Sequence, residues 1–158
     1  MIRVSLFMMY LRYLIVVILL ICADQFSKYQ IVSKIPLGQR IFYVPDFFAL
    51  TYVKNTGAGF SILQNATGFL SLVSAVAVIV LAYFLLHENN KLTRVCYLLI
   101  ISGAIGNLID RIRLGYVVDF LDCYIFGYDF PVFNVADSFI TVGCILLILL
   151  NLKGNKDA

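Results

Sequence analysis

Long apolar runs alternate with shorter polar segments along the chain, and four of the runs are long enough to cross a bilayer. A hydrocarbon core about 30 Å thick requires roughly 20 helical residues at a rise of about 1.5 Å each. The runs predict helices over about 7–28, 66–86, 92–110 and 133–152. The pattern therefore predicts an all-α membrane protein with four transmembrane helices, folded as a single integral membrane domain over residues 1–158.

Two longer polar segments, about 29–65 and 111–132, are predicted as loops on the same side of this bundle. The first contains two aromatic and β-branched runs, 40–44 and 47–53, separated by the turn dipeptide at 45–46. Such runs on either side of a turn favour a β-hairpin. We expect a small extracytoplasmic hairpin or sheet here, whose aromatic side chains anchor at the interface or form an apolar bed for a substrate.

The charges bear on the orientation in the membrane. Four helices place both termini and the short loop near 87–93 on one side, and the two long loops on the other. Lys and Arg divide six to six between the sides, so the positive-inside rule does not orient the chain. Two acidic residues lie on the terminal side and seven on the loop side. By net charge, we expect cytoplasmic termini and outer loops.

Composition excludes several classes of protein. The chain is 62% hydrophobic and 13% charged, against roughly 45–50% and 25% in soluble domains. A net charge of +3 without a basic tract gives no reason to expect nucleic-acid binding. The four cysteines are separate and form no C-x-x-C motif, and the one histidine, His87, has no cysteine nearby. We therefore expect neither a metal site nor another cofactor.

Polar residues collect at the helix ends that face the two long loops. They are Asp24 and Lys28 in the first helix, Asn107, Asp110 and Arg111 at the end of the third, and Asn134 and Asp137 at the start of the fourth. Ionisable groups at this depth are costly and usually mark a function. The alternative is a set of caps and interfacial ion pairs, such as Asp24 with Lys28 at i,i+4. The convergence of the whole set favours a functional site.

The available side chains restrict the chemistry of such a site. There is no G-x-S-x-G motif, and His87 lies on the opposite side, which disfavours serine and cysteine hydrolases. Two neighbouring aspartates can share a proton, so that one accepts a proton from water while the other polarises a scissile carbonyl. Spacing alone leaves open which two meet among Asp24, Asp110, Asp119 and Asp137.

Five short motifs, in this order and spacing, resemble those of the lipoprotein signal peptidase (signal peptidase II) family. They are DQFSK at 24–28, NTGAGF at 55–60, GNLIDR at 106–111, GYVVDF at 115–120 and FNVADS at 133–138. One departure is Gly59, where the family more often has alanine. The resemblance extends from about residue 10 to 152 and involves all four predicted helices.

The resemblance implies a bacterial aspartyl endopeptidase of the cytoplasmic (inner) membrane. Its substrates would be diacylglyceryl-modified prolipoproteins, cleaved at the outer face on the N-terminal side of the lipidated cysteine. The resemblance places the catalytic pair at Asp119 and Asp137. The supporting positions that it implies are Asn55, Gly57, Asn107, Arg111 and Asn134 around the site, with Asp24, Lys28 and Asp110 beside them. It implies no cofactor, and we expect a monomer in contact with membrane lipid.

Individual roles can also be predicted. We expect Arg111 to contact a neighbouring carboxylate or a substrate carbonyl, and Asp110 to have a structural role. Asn134 either orients the catalytic pair or substrate, or caps the fourth helix. The loop aspartates are expected to be solvated, and they are Asp46, Asp122 and Asp129.

The alternative function is a small four-helix transporter coupled to protons or cations. Its intramembrane acids would lie near the midplane of the bilayer. In this chain the second apolar run has no charge at all, and the acids cluster at one end of the bundle. The depth of the acids therefore favours the peptidase.

Overall fold

The computed structural model describes residues 2–57, 64–125 and 127–154. It contains four helices, which are α1 (Ile2–Lys34), α2 (Thr67–His87), α3 (Lys91–Leu114) and α4 (Val135–Gly154). All four are long and apolar enough to cross a membrane. The predicted architecture of four membrane-spanning helices with a small sheet is confirmed.

Two helices extend further toward the long loops than the apolar runs suggest. α1 continues past the predicted end near 28 to Lys34, because Ile31 and Ile35 are buried in a second core outside the apolar run. α3 continues to Leu114, so Arg111 is helical and does not begin a loop. Gly115 ends α3 with a positive φ of 79°, a conformation that glycine adopts without strain.

An antiparallel sheet covers this end of the bundle, with its strands in the order β1 (Arg40–Val44), β2 (Phe48–Asn55), β3 (Val117–Ile125) and β4 (Tyr128–Asp129). The β1–β2 pair is the hairpin expected from the first loop. β3 and β4 were missed, although the β-branched and aromatic residues of β3 carried a signal. The pairing of β2 with β3 sets Val53 opposite Asp119.

Packing divides the protein into two cores. In the membrane, α3 is central and packs against the other three helices. Above it, the end of α1 packs under the sheet in a cluster built from Ile31, Ile35, Tyr52, Val118 and Phe120. This core under the sheet fixes β3 over the ends of α1 and α3, which sets the height of Asp119 above the helices.

α3 and α4 approach closely at Gly103. A Cβ atom there would lie 2.3 Å from the carbonyl oxygen of Ala136 and 2.8 Å from Cγ1 of Ile140. Since a backbone atom cannot move without the helix, we expect Gly103→Ala to lower the free energy of unfolding by about 1–3 kcal/mol. Gly68→Ala in α2 is the matched control, because its Cβ would meet no atom within 4 Å. Thermal unfolding of the purified variants in detergent tests this, and equal melting temperatures would contradict it.

Candidate active site

Asp119 and Asp137 line one groove of about 470 Å³ at the end of the helices that faces the two long loops. Asp119 comes from β3 and Asp137 from the first turn of α4. The rest of the lining is mostly apolar and includes Phe130, Pro131, Val132, Phe133, Ile140 and Val142. Of the four candidate aspartates, these two share the groove, whereas Asp24 and Asp110 are buried behind it.

Asp119 is held by two asparagine side chains and is only 2% exposed. Its Oδ1 accepts a hydrogen bond from Nδ2 of Asn134 at 2.7 Å, and its Oδ2 accepts one from Nδ2 of Asn55 at 2.8 Å. Burial, and then the charge of Asp137, raise the pKa of Asp119 to about 7. The two asparagine donors and Lys28 act in the opposite direction. Asp119 can therefore hold or release a proton near neutral pH.

Asp137 is fixed by the start of its own helix and by α3. Its Oδ1 accepts from Nδ2 of Asn107 at 2.7 Å, and its Oδ2 accepts from the backbone N–H of Asn134 at 3.2 Å. The N–H of Asp137 donates in return to Oδ1 of Asn134 at 2.9 Å. Asn134 thus caps α4 in a reciprocal pair resembling a capping box, while its amide group also binds Asp119. Asn134 therefore makes both the contacts of a helix cap and a direct contact with Asp119.

Lys28 lies behind the groove in a buried cluster of charges. Its Nζ is 2.9 Å from Oδ2 of Asp24 and 3.0 Å from Oδ2 of Asp110. A third contact, at 2.9 Å, goes to Oδ1 of Asn107. All these side chains are at most 5% exposed, so the ion pairs are shielded from water and salt.

The carboxylates of this cluster also bind backbone groups. Oδ1 of Asp24 accepts from the N–H of Ala136 at 2.9 Å, and Oδ2 of Asp110 accepts from the N–H of Val118 at 3.1 Å. Nε2 of Gln25 donates to Oδ1 of Asp110 at 2.9 Å. The cluster therefore joins α1 and α3 to the residues that precede Asp119 and Asp137. Gln25 was not predicted as a site residue, although it lies inside the DQFSK motif.

Arg111 lines the groove and contacts the segment that follows β2. Its Nη2 donates to the carbonyl oxygen of Gly57 at 3.1 Å, and the N–H of Gly57 donates to Oδ1 of Asn55 at 2.9 Å. Its Nε is buried and has no hydrogen-bond partner among the described residues. A buried donor of this kind would be satisfied by a carbonyl oxygen of a bound ligand. Gly59, the departure from the family pattern, lies outside the described residues.

One of the three loop aspartates was wrongly expected to be solvated. Asp122 is fully buried, because its position in β3 opposite Ala49 turns its side chain inward. It forms an ion pair with Nε of Arg40 at 2.5 Å. Burial raises the pKa of Asp122, and the charge of Arg40 opposes this effect. Asp46 and Asp129 are exposed, as expected.

Two further clefts reach the aspartates. A cleft of about 300 Å³ opens between α2 and α4 in front of α3, and it reaches Asp137. Its α2 wall is formed by Leu70, Val73, Ser74, Ala77 and Leu81. A more polar pocket of about 270 Å³ reaches Asp119 along the end of β2 and past Gln64. The aspartate pair is therefore bordered by apolar space on one side and polar space on the other.

Three comparisons identify the family. The sequence model described as "Signal peptidase (SPase) II" matches residues 16–153. Lipoprotein signal peptidases of Staphylococcus aureus strains bovine RF122 / ET3-1 and Newman are 38% and 39% identical over 146 residues, which are 91% of this chain and 90% of theirs.

Two solved structures are similar over most of their length. One is a bacterial membrane enzyme structure at 2.3 Å resolution, with a TM-score of 0.87 at 36% identity and a match over 92% of this chain and 90% of its own. Another of the same description at 1.9 Å resolution has a TM-score of 0.81 at 37% identity, with 90% and 93% covered. With the geometry of the groove, these matches confirm the resemblance found in the motifs, and the chain belongs to the signal peptidase II family of bacterial membrane peptidases.

Proposed function

We propose that this protein is an aspartic endopeptidase that removes the signal peptide from diacylglyceryl-modified prolipoproteins, cleaving on the N-terminal side of the lipidated cysteine. The observation that carries the proposal is the shared groove of Asp119 and Asp137. Their carboxylates are linked through the amides of Asn134 and Asn107, which also hydrogen-bond each other at 3.2 Å.

The proposed mechanism uses one proton shared by the pair. The ionised carboxylate accepts a proton from a water molecule, and the resulting hydroxide attacks the scissile carbonyl carbon. The protonated carboxyl group donates its proton to the carbonyl oxygen. When the tetrahedral intermediate collapses, the C–N bond breaks. The cysteine nitrogen takes the proton that the first carboxylate accepted from water and leaves as an amine, while a hydroxyl group of the intermediate returns its proton to the second carboxylate. The pKa of Asp119 near 7 supports this partly protonated state.

The apolar space around the aspartates suits a substrate with apolar groups on both sides of the cleaved bond. The signal peptide lies on one side, and the diacylglyceryl group on the other. The groove and the cleft between α2 and α4 both contact Asp137, so such a substrate could reach it laterally from the bilayer. The buried Nε of Arg111 would then donate to a substrate carbonyl.

The same proposal assigns an orientation. We place both termini in the cytoplasm and the groove at the outer face of the membrane, as the excess of acidic residues on the loop side favours. The exposed aromatic side chains of the hairpin, Phe42, Tyr43 and Phe47, would then lie at the outer interface. Family membership and the position of the acids at one end of the spans disfavour the transporter.

A gel-shift cleavage assay tests the proposed function. Purified protein in detergent receives a diacylglyceryl-modified prolipoprotein or the same prolipoprotein without lipid. We expect cleavage of the lipidated form alone, undiminished by a metal chelator. Failure of a folded wild-type protein to cleave the lipidated substrate would overturn the proposal and make ion flux through liposomes the next measurement.

A further inference from the structure

The ammonium group of Lys28 uses all three of its N–H donors, although it lies outside the groove. Two contacts are the ion pairs with Asp24 and Asp110, and the third is the hydrogen bond to Oδ1 of Asn107 at 2.9 Å. Lys28 is 3% exposed, so water does not compete for these donors. The third contact connects a buried cation to the aspartate pair through a single amide group.

The orientation of the Asn107 amide is determined at both of its ends. Its Oδ1 accepts from Lys28 and from Nδ2 of Asn134, and its Nδ2 donates to Oδ1 of Asp137 at 2.7 Å. Reversing the amide would set its NH₂ group against an ammonium group and its oxygen against a carboxylate. Both contacts would be repulsive. Lys28 and Asp137 therefore select the same orientation.

We propose that Lys28 is a positioning residue for the peptidase reaction and acts through Asn107, whose amide it fixes as a donor to Asp137. This inference rests on the proposed function. In this arrangement Oδ1 of Asp137 accepts from a donor of fixed direction, which holds the carboxylate in one orientation in the groove. Without Lys28, the amide is no longer fixed at both ends, so Asp137 loses a rigidly held donor.

Lys28 also acts on the pair through its charge. The charged groups around it are Asp24 on α1, Asp110 on α3, Asp137 on α4 and Asp119 on β3. Arg111 is the second cation that interacts with both groove carboxylates. Lys28 lowers the pKa of Asp119 against the effect of burial. Its removal should therefore move the alkaline limb of activity to higher pH.

The test requires a variant that folds. Lys28→Met alone leaves Asp24 and Asp110 buried without a counter-charge, which is strongly destabilising. The double variant Asp110→Asn/Lys28→Met keeps the net charge of Asp24, Lys28 and Asp110 unchanged and leaves one buried carboxylate instead of two. That carboxylate, Asp24, still accepts hydrogen bonds from a backbone N–H of α4 and from Nε2 of Gln25. Asp110→Asn alone is its reference. Lys91→Met, at an exposed position at the start of α3, controls for loss of a lysine. Melting temperature, kcat, KM and the pH profile are measured for each on the lipidated prolipoprotein.

We expect Asp110→Asn/Lys28→Met to fold and to have a kcat about 10²-fold below Asp110→Asn, with KM little changed and a shifted alkaline limb. Adding Asn107→Leu should cause almost no further loss, because Lys28 acts through that amide. Equal kcat in the double variant and its reference would overturn the inference. It would also be overturned if Asn107→Leu lowered kcat by the same factor with and without Lys28. Wild-type turnover reports separately on the proposed function.

Discussion

Asp119→Asn and Asp137→Asn are each expected to reduce cleavage of a lipidated prolipoprotein by about 10⁴-fold or more. Asparagine has nearly the shape of aspartate but can neither accept a proton from water nor donate one to a carbonyl oxygen. Each substitution therefore leaves the groove in place and removes one half of the proton exchange. Because the two carboxylates act as a unit, the double variant should be about as inactive as either single variant.

The matched control is Asp46→Asn. Asp46 is an exposed aspartate on the same side of the membrane with a φ of 53°, a conformation that asparagine also adopts readily. Initial rates in detergent, with melting temperatures measured alongside, separate loss of chemistry from loss of fold. Turnover by Asp119→Asn or Asp137→Asn within tenfold of wild type would exclude the proposed pair. A large loss in Asp46→Asn would show that the site lies elsewhere.

The helices and the general position of the candidate site were predictable from the sequence, since both depend on local features. An apolar run of bilayer length specifies a spanning helix, and polar residues at the ends of three such runs must meet at one membrane level. The extension of α1 to Lys34 was less accessible. Its last turns are stabilised by the core under the sheet, and no apolar run in the sequence indicates that contact.

The contacts of the individual carboxylates were not predictable, because they depend on strand pairing far along the chain. Asn55 and Asp119 are 64 residues apart and are joined by a hydrogen bond because β2 pairs with β3. The same pairing buries Asp122, which the sequence presents as one more loop aspartate. The direction of the Asn107 amide likewise follows from Lys28, a residue on another helix.

The activity is expected to fall as pH rises through about 7. The free energy of unfolding is expected to fall as pH rises from about 4 to 7. Burial, and then the charge of Asp137, raise the pKa of Asp119 from an ordinary value near 3.8 to about 7. Above that pH the shared proton is lost, so the rate should fall about tenfold per pH unit. The midpoint belongs to the coupled pair of carboxylates.

The sign of the effect on stability follows from the same group. Between about pH 4 and 7 the folded protein retains a proton that the unfolded chain releases, so the free energy of unfolding decreases as pH rises. The contribution of Asp119 over this window is about 4 kcal/mol and is constant above it. Melting temperatures across the window should fall in the wild type and stay flatter in Asp119→Asn, which has no proton to lose at this position.

Asn55 provides the test that links both effects to Asp119. Its Nδ2 donates to Oδ2 of Asp119 and lowers the pKa of that carboxyl group. We expect Asn55→Leu to raise that pKa further and to move the alkaline limb of kcat toward higher pH, while lowering the maximal rate. A limb that stays in place in Asn55→Leu, or wild-type stability that rises between pH 4 and 7, would show that Asp119 is not the group that titrates. The direction of the shift is decisive because a general loss of structure would lower the rate at every pH without moving the midpoint.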